Sequence, residues 1–254
     1  MPVLSPGAWF LGALSALLVG FSKSAVPGIA VLYVPLFADV LPARASTGAL
    51  LPLLILGDVF AVVFWRRHAV WRHVARLVPW TLAGIVAGWL VMGRLDDRLM
   101  RPVLGAALIV ILAVNAWHGV RRAAAARRGI PVEDTVPGAW WFSAVFGLAG
   151  GIATMISNAA GAILVVYLLS MRLPRDEFIG TTAWYFLIVN CIKVPFSVNL
   201  GLITASSLLL DAALAGGVAA GSIVGMLTAR KIPQKAFVIV AMALAFASAV
   251  RMFF

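Results

Sequence analysis

The sequence is poor in charged residues: only 11% of its 254 residues are Asp, Glu, Lys or Arg, whereas 63% are hydrophobic. Its mean hydropathy is +1.04. Soluble globular domains carry about 25% charged and about 45–50% apolar residues. A soluble fold of this composition would expose too much apolar surface to water, so the expected solvent is a lipid bilayer.

Cysteine is nearly absent as well, and so are the common catalytic motifs. Cys191 is the single cysteine, which excludes an internal disulfide framework and any Cys-based metal-ligand spacing. The sequence contains no phosphate loop of the form G-x-x-x-x-G-K-[ST], no H-E-x-x-H and no G-x-S-x-G. We therefore predict that the chain is not an enzyme and needs neither a metal nor a cofactor.

The few charges that are present are mostly basic, with a formal net charge of +11. Eleven of the 20 basic residues fall in three short segments between apolar runs, at 66–76, 121–128 and 230–235. Basic loops between apolar segments are typical of the cytoplasmic side of a membrane protein. The charge therefore predicts a multi-pass protein of the cell (inner) membrane whose partner is the lipid bilayer, and not a nucleic-acid-binding protein.

Several apolar runs approach the length of about 20 residues that a membrane-crossing helix needs. They predict an all-α polytopic membrane protein with 8–10 membrane helices. The runs are Thr47–Trp65, Leu77–Met92, Pro102–Trp117, Ile179–Ile192, Ile203–Thr228 and Ala236–Val250.

Two further apolar regions are interrupted by polar and helix-breaking residues. The first interruption is residues 20–28, which contain Lys23 and end in Pro27-Gly28. The second is residues 157–161, which begin with Ser157 and Asn158. Such breaks at membrane depth require partners for the freed backbone groups. We expect a broken or re-entrant helix at each of them.

The two interrupted regions belong to two similar halves, 1–120 and 139–254, joined by a charged cytoplasmic linker at 121–138. Asp58 in the first half corresponds to Asn190 in the second. The basic loop after Trp65 corresponds to an uncharged loop at 197–201, so corresponding loops are expected on opposite sides of the membrane. This pattern favours an inverted repeat, as in many secondary transporters; a parallel repeat with four crossings per half is the alternative.

The polar residues at the breaks and on the helix around 181–193 are candidates for substrate binding. A lysine inside a membrane is costly and is often functional, although it also can snorkel to a headgroup from a segment that ends near the surface. Intramembrane Ser, Thr and Asn can bind substrate or merely join helices by hydrogen bonds. The candidate residues are Lys23, Ser22, Ser24, Asn158, Ser157, Thr182, Thr181, Asn190 and Lys193.

We interpret Asp58 as the only acidic residue that lies inside a long apolar run of the sequence. It lies on the same face of its helix as Thr47, because eleven residues correspond to about three turns. An intramembrane carboxylate can titrate during transport or neutralise a basic residue. Asp58 and Thr47 are therefore candidates for ion coupling or charge balance, and a structural salt bridge to Lys23 is the alternative.

At these residues the sequence resembles the TauE/SafE sulfite exporter family over nearly its whole length. The resemblance depends on the order and spacing of several short motifs. They are Gly20-Phe21-Ser22-Lys23, Pro27-Gly28, Leu51-Pro52, Gly57-Asp58, Gly161, Tyr167-Leu168-Leu169, Leu173-Pro174, Phe178-Ile179-Gly180-Thr181, Asn190 and Lys193.

The resemblance implies a secondary transporter, with export as the expected direction, for sulfite, a sulfonate or a related organosulfur anion. A proton or a sodium ion would be the coupling ion, and a homodimer is compatible with the sequence. The residues leave two other functions open. An anion channel would use the same polar groups, and a membrane subunit would act together with a partner protein.

Overall fold

The structure is a computed structural model that describes residues 4–26, 29–41, 43–92, 140–229 and 231–251. Within these ranges the chain is helical and contains no β-strand. We number the helices along the described chain as α1 (Pro6–Ser24), α2 (Ala30–Ala38), α3 (Ala43–Trp65), α4 (Trp71–Met92), α5 (Trp140–Ser157), α6 (Ala160–Ser170), α7 (Arg175–Asn199), α8 (Ala205–Ala229) and α9 (Gln234–Arg251).

Six helices in the described part of the chain are long and apolar enough to cross a membrane, namely α1, α3, α4, α5, α7 and α8. Their outward faces carry large apolar side chains: Phe10 is 68% exposed, Val63 63% and Leu227 63%. Exposed apolar surface of this extent is unfavourable in water. The structure therefore confirms the predicted all-α membrane fold.

The first interrupted region forms a helical hairpin. α1 begins at the N-cap Ser5, whose side chain accepts a hydrogen bond from the Ala8 N–H, and Pro6 at the first helical position favours this start. The helix ends at Ser24, and the chain later forms the short helix α2. Val40, just after α2, lies beside Gly12 in the first half of α1. The hairpin thus returns to the end of the bundle from which it entered.

The second interrupted region forms a matching hairpin from α5 and α6. The Tyr167 hydroxyl, near the end of α6, lies 3.1 Å from the Ser143 hydroxyl, near the start of α5. The tips of the two hairpins meet, because Gly161 at the start of α6 packs against Ala30 at the start of α2. The expected re-entrant pair is therefore present, and its tips contact each other inside the bundle.

The first long helix of each half packs most extensively on the fourth helix of the other half: α1 on α8, and α5 on α4. Both pairs are parallel and are brought together by glycines. In the first pair Gly221 lies against the Leu17 backbone and Gly225 against Phe21, and in the second Gly151 lies against the backbone of Thr81. Small residues of this kind allow helices to approach closely in membranes.

The third helices of the two halves, α3 and α7, run antiparallel through the centre of the described bundle. Gly48, near the start of α3, lies against Leu202 just after α7, whereas Gly180, near the start of α7, lies against Trp65 at the end of α3. Between these ends Asp58 contacts Asn190. Corresponding helices therefore point in opposite directions at this contact.

Some expectations fall outside the described residues. They are the Pro27-Gly28 helix breaker, the apolar run Pro102–Trp117, and the linker at 121–138. The boundaries of the halves at 1–120 and 139–254 stay predictions for the same reason.

Candidate functional site

A cavity lies where the two hairpin tips meet α3 and α7. It is lined from both halves, with polar groups on one part of its wall and apolar or aromatic groups on the rest. The lining residues are Ser22, Lys23, Ala30, Tyr33, Leu54, Thr154, Asn158, Gly161, Thr182, Phe186 and Asn190.

Lys23, at the end of α1, provides a buried positive charge in this wall. Its Nζ lies 2.8 Å from Asp58 Oδ1, and the two side chains are 7% and 0% exposed. Nζ also lies 4.2 Å from the centre of the Phe186 ring, within the range of a cation–π contact. Since the lysine ends inside the bundle against a carboxylate, it does not snorkel to the surface.

Asp58 also joins the two halves of the chain. Its Oδ2 accepts a hydrogen bond of 2.7 Å from Asn190 Nδ2. Asp58 and Asn190 are the residues that the internal repeat places in equivalent positions. The Lys23–Asp58 salt bridge that was an alternative in the sequence analysis is thus present, and it is tied to the second half by the equivalent residue.

Lys193 forms a second buried cationic centre, behind the tip of the second hairpin. Its Nζ donates to the Asn158 side-chain oxygen at 2.6 Å and to the Thr154 carbonyl oxygen at 2.7 Å. A longer contact of 3.3 Å reaches the Thr154 hydroxyl. Lys193 is 1% exposed, and these three contacts are with uncharged groups. Within the described residues its hydrogen bonds therefore go to dipoles and not to a carboxylate.

Asn158 shapes the second break and positions Lys193. It ends α5 in the left-handed conformation, with φ of 55°, which asparagine adopts more readily than most residues. Its Nδ2 donates to the Thr47 carbonyl oxygen at 2.9 Å, while its Oδ1 accepts from Lys193. One amide side chain thus connects α3, α7 and the second hairpin.

The structure brings Ser22, Lys23, Asn158, Thr182 and Asn190 together at the cavity and places the other candidates elsewhere. Ser22 Oγ donates to the Val26 carbonyl oxygen at 3.4 Å. Thr182 is 3% exposed and its hydroxyl has no hydrogen-bond partner among the described residues. Thr182 therefore lines the cavity with an unused hydroxyl.

The remaining candidates do not line the cavity. The Ser24 carbonyl accepts from Trp65 Nε1 at 3.1 Å, and Ser157 Oγ donates to the Ala153 carbonyl at 3.3 Å. The Thr181 hydroxyl accepts from the Val70 N–H at 2.9 Å, so this residue ties α7 to the start of α4. Thr47 contributes its carbonyl to Asn158.

Three residues of the site were missed by sequence reasoning. Thr154 provides two oxygens to Lys193, and Tyr33 and Phe186 line the cavity. Tyr33 and Phe186 lie in continuous apolar runs, where nothing in the local pattern separates a cavity-lining ring from a lipid-facing one. Thr154 had a detectable signal, because it precedes Asn158 by four residues and so shares its helix face.

The interpretation of Asp58 as the only acidic residue in a long apolar run was wrong. The apolar helix α8 contains Asp211, which is 5% exposed. Both of its carboxylate oxygens are buried without a hydrogen-bond partner among the described residues. Asp211 lies inside the apolar run Ile203–Thr228, so the sequence alone was sufficient to find it.

The charges around the cavity do not balance when they are ionised. Lys23 and Asp58 neutralise each other, and Lys193 adds a further positive charge. In a low-dielectric interior an uncompensated charge is costly and attracts a counter-ion. The described site can therefore hold a small anion, with Lys23, Lys193 and the Thr182 hydroxyl as its complementary groups.

Comparison with known proteins identifies a family for the chain. A family model described as the sulfite exporter TauE/SafE matches residues 12–252, which covers both hairpins and all candidate residues. Searches of curated proteins and of solved structures found no match. The family match confirms the resemblance seen in the sequence motifs. Together with the six apolar helices, it shows that the chain is a multi-pass membrane protein of the TauE/SafE sulfite exporter family, a family of membrane transporters.

Proposed function

We propose that the chain is a secondary transporter of a small oxyanion, sulfite or a sulfonate, and that the cavity between the hairpin tips binds this anion. The observation that carries the proposal is the set of buried cationic and hydroxyl groups at this cavity. Lys23 and Thr182 line it directly, and Lys193 lies behind it. An anion with several oxygens can accept from all three donor groups.

Lys23 would bind the anion in exchange for Asp58. In the present structure the Asp58 carboxylate is paired with the Lys23 ammonium at 2.8 Å. The carboxylate thus takes the place that the anionic substrate would have. When the anion arrives, Asp58 would keep its bond to Asn190, and Lys193 would supply the second positive charge that the two anionic groups require. This exchange leaves neither Lys23 nor Asp58 without an opposite charge nearby, which would be expensive in a buried position. We therefore assign Asp58 to charge balance.

Lys193 would stabilise the anion through the second hairpin. Its ammonium reaches the cavity wall through Asn158 and Thr154, both of which line the cavity. A movement of the hairpin tip would expose Lys193 to the anion or withdraw it. The second break thus would serve as the adjustable part of the site.

Alternating access would follow from two hairpins that enter the bundle from opposite ends. We infer an inverted repeat, supported by the antiparallel contact of α3 with α7 and by the exchanged packing of α1 on α8 and α5 on α4. Two oppositely oriented halves around one central site are able to open it to one side at a time.

The direct test is transport by purified protein in proteoliposomes. We expect saturable counterflow of radiolabelled sulfite that unlabelled sulfite, thiosulfate, sulfoacetate or taurine inhibits according to their affinities. Empty liposomes are the control. Absence of flux for all of these anions would contradict the proposal, and large single-channel currents would favour the anion channel.

The Thr182→Val variant is expected to lose about tenfold or more in sulfite affinity. A hydrogen bond to a charged group contributes about 1.5–3 kcal/mol, and valine removes the hydroxyl at nearly constant volume. Stability should be unchanged, because this hydroxyl makes no bond in the present state. Flux and ligand-induced thermal shift measure the two effects, and Thr228→Val, at a half-buried position of α8 outside the cavity lining, is the control. An unchanged affinity would remove Thr182 from the binding site.

The proposed orientation predicts the accessibility of introduced cysteines. In a Cys191→Ser background, Arg67→Cys and Lys231→Cys should react with a membrane-impermeant maleimide only from the cytoplasmic side, where basic loops are retained. Ala205→Cys, at the start of α8, should react only from the opposite side. All three positions are exposed. Labelling of Arg67→Cys and Ala205→Cys from the same side would contradict the inverted arrangement.

A further inference from the structure

Asp211 lies apart from the cavity and is not used by the binding mechanism. It is the seventh residue of α8 (Ala205–Ala229), which places it about 9 Å along a helix with a rise of about 1.5 Å per residue. Its side chain is 5% exposed, and neither carboxylate oxygen has a hydrogen-bond donor among the described residues. Asp58, in contrast, has a cation on one oxygen and an amide on the other.

A buried carboxylate without a cation or a donor is stable only in its neutral, protonated form. The charged groups that could change this are few. On α1, which packs along α8, the charged residue is Lys23; on α3, which also contacts α8, they are Asp58 and Arg44. Lys23 and Asp58 are paired with each other, and the side chain of Arg44 lies outside the described residues. The local environment of Asp211 thus favours a bound proton.

The helix that carries Asp211 is rigidly joined to the helix that carries Lys23. A methyl group on Gly20 would lie 2.0 Å from the Val218 carbonyl oxygen, and one on Gly221 would lie 2.0 Å from the Leu17 carbonyl oxygen. Backbones in such close contact move together. A change that moves α8 toward or away from water would therefore move α1 and the first hairpin as well.

We propose that Asp211 is a proton-binding site that couples proton movement to the opening of the first hairpin; this inference rests on the proposed transport function. With a proton bound, Asp211 is compatible with its buried position on the joined α1–α8 pair. After the proton leaves, the carboxylate requires water and favours a movement of this pair that opens its end of the bundle. A proton is the fitting ion because a single buried carboxyl group suffices to bind it.

The first part of the test measures the proton directly. Infrared spectroscopy of purified protein in detergent at neutral pH should show a carboxylic-acid C=O band that shifts in D₂O. The Asp211→Asn variant should lose this band, while Asp39→Asn, at an exposed carboxylate after α2, should keep it. A band that is unchanged in Asp211→Asn would show that Asp211 is ionised and would overturn the proposal.

The second part measures coupling in proteoliposomes with sulfite as the probe. Asparagine imitates the protonated acid, so Asp211→Asn should retain sulfite counterflow without a pH gradient. It should lose the stimulation by a pH gradient, which for a coupled pair of sites is typically about 5–150-fold. Wild-type stimulation in Asp211→Asn would overturn the coupling role. If the wild-type protein carries no sulfite while the infrared band still disappears in the variant, the proton site stands and the proposed function fails.

Discussion

The Lys23→Met variant is expected to lose sulfite transport and to unfold more easily. Methionine preserves the length and apolar packing of the side chain but leaves Asp58 buried at 0% exposure without its cation. Removing one partner of a buried ion pair typically costs about 3–5 kcal/mol, because the other charge remains uncompensated. Thermal unfolding in detergent and counterflow in proteoliposomes measure the two losses.

The Lys23→Met/Asp58→Asn double variant separates binding from stability. Asparagine at position 58 removes the negative charge and still accepts a hydrogen bond from Asn190. We expect the double variant to recover most of the lost stability, since replacing both charges of a buried pair is often nearly neutral. Transport should remain absent, because the cation that binds the anion is missing. Normal transport in either variant would exclude Lys23 from the site, and a double variant as unstable as Lys23→Met would show that pairing is not the cause.

The Gly221→Ala variant is expected to disrupt the contact between α1 and α8. The added methyl group would lie 2.0 Å from the Leu17 carbonyl oxygen, far below the van der Waals separation of about 3.5–4.0 Å. The nearest atoms all belong to the Leu17 backbone, which cannot turn aside as a flexible side chain could, so the two helices must separate. Overpacking of a tight contact costs about 1–3 kcal/mol and occasionally more. Thermal unfolding of the purified protein measures the loss.

Gly216→Ala is the matched control on the same helix. A methyl group at Gly216 would meet nothing within 4 Å, and alanine is favoured over glycine inside a helix by about 0.5–1 kcal/mol. We expect this variant to be as stable as the wild type or slightly more stable. Equal stability of Gly221→Ala and Gly216→Ala would show that the close packing of α1 on α8 is not required.

Much of the site was predictable because a membrane makes polar residues conspicuous. Lys23 and Asn158 stood out in apolar surroundings, where each must find a partner or a function. Asp211 gave the same signal, since it lies inside the apolar run Ile203–Thr228, but the sequence did not show whether it has a partner. Tyr33 shows the limit of this signal, because an aromatic residue in an apolar run gives no sign of facing a cavity.

The choice between neighbouring residues required the structure. Thr181 and Thr182 are adjacent and chemically identical, but they point about 100° apart on α7. One accepts from the Val70 N–H, while the other lines the cavity with its hydroxyl unused. Periodicity places Thr182, Asn190 and Lys193 on one face of the helix, but it does not say which helices cover that face.

The sequence by itself determined the solvent, the helical class, the two interrupted regions and the family, because the low dielectric of lipid restricts both composition and backbone structure. Tertiary structure alone decided which charges meet. Lys23 is paired with Asp58, Lys193 is held by uncharged oxygens, and Asp211 has no partner among the described residues. These differences depend on distances of a few ångströms between helices far apart in the chain, and hydrophobic patterning carries no information about such distances.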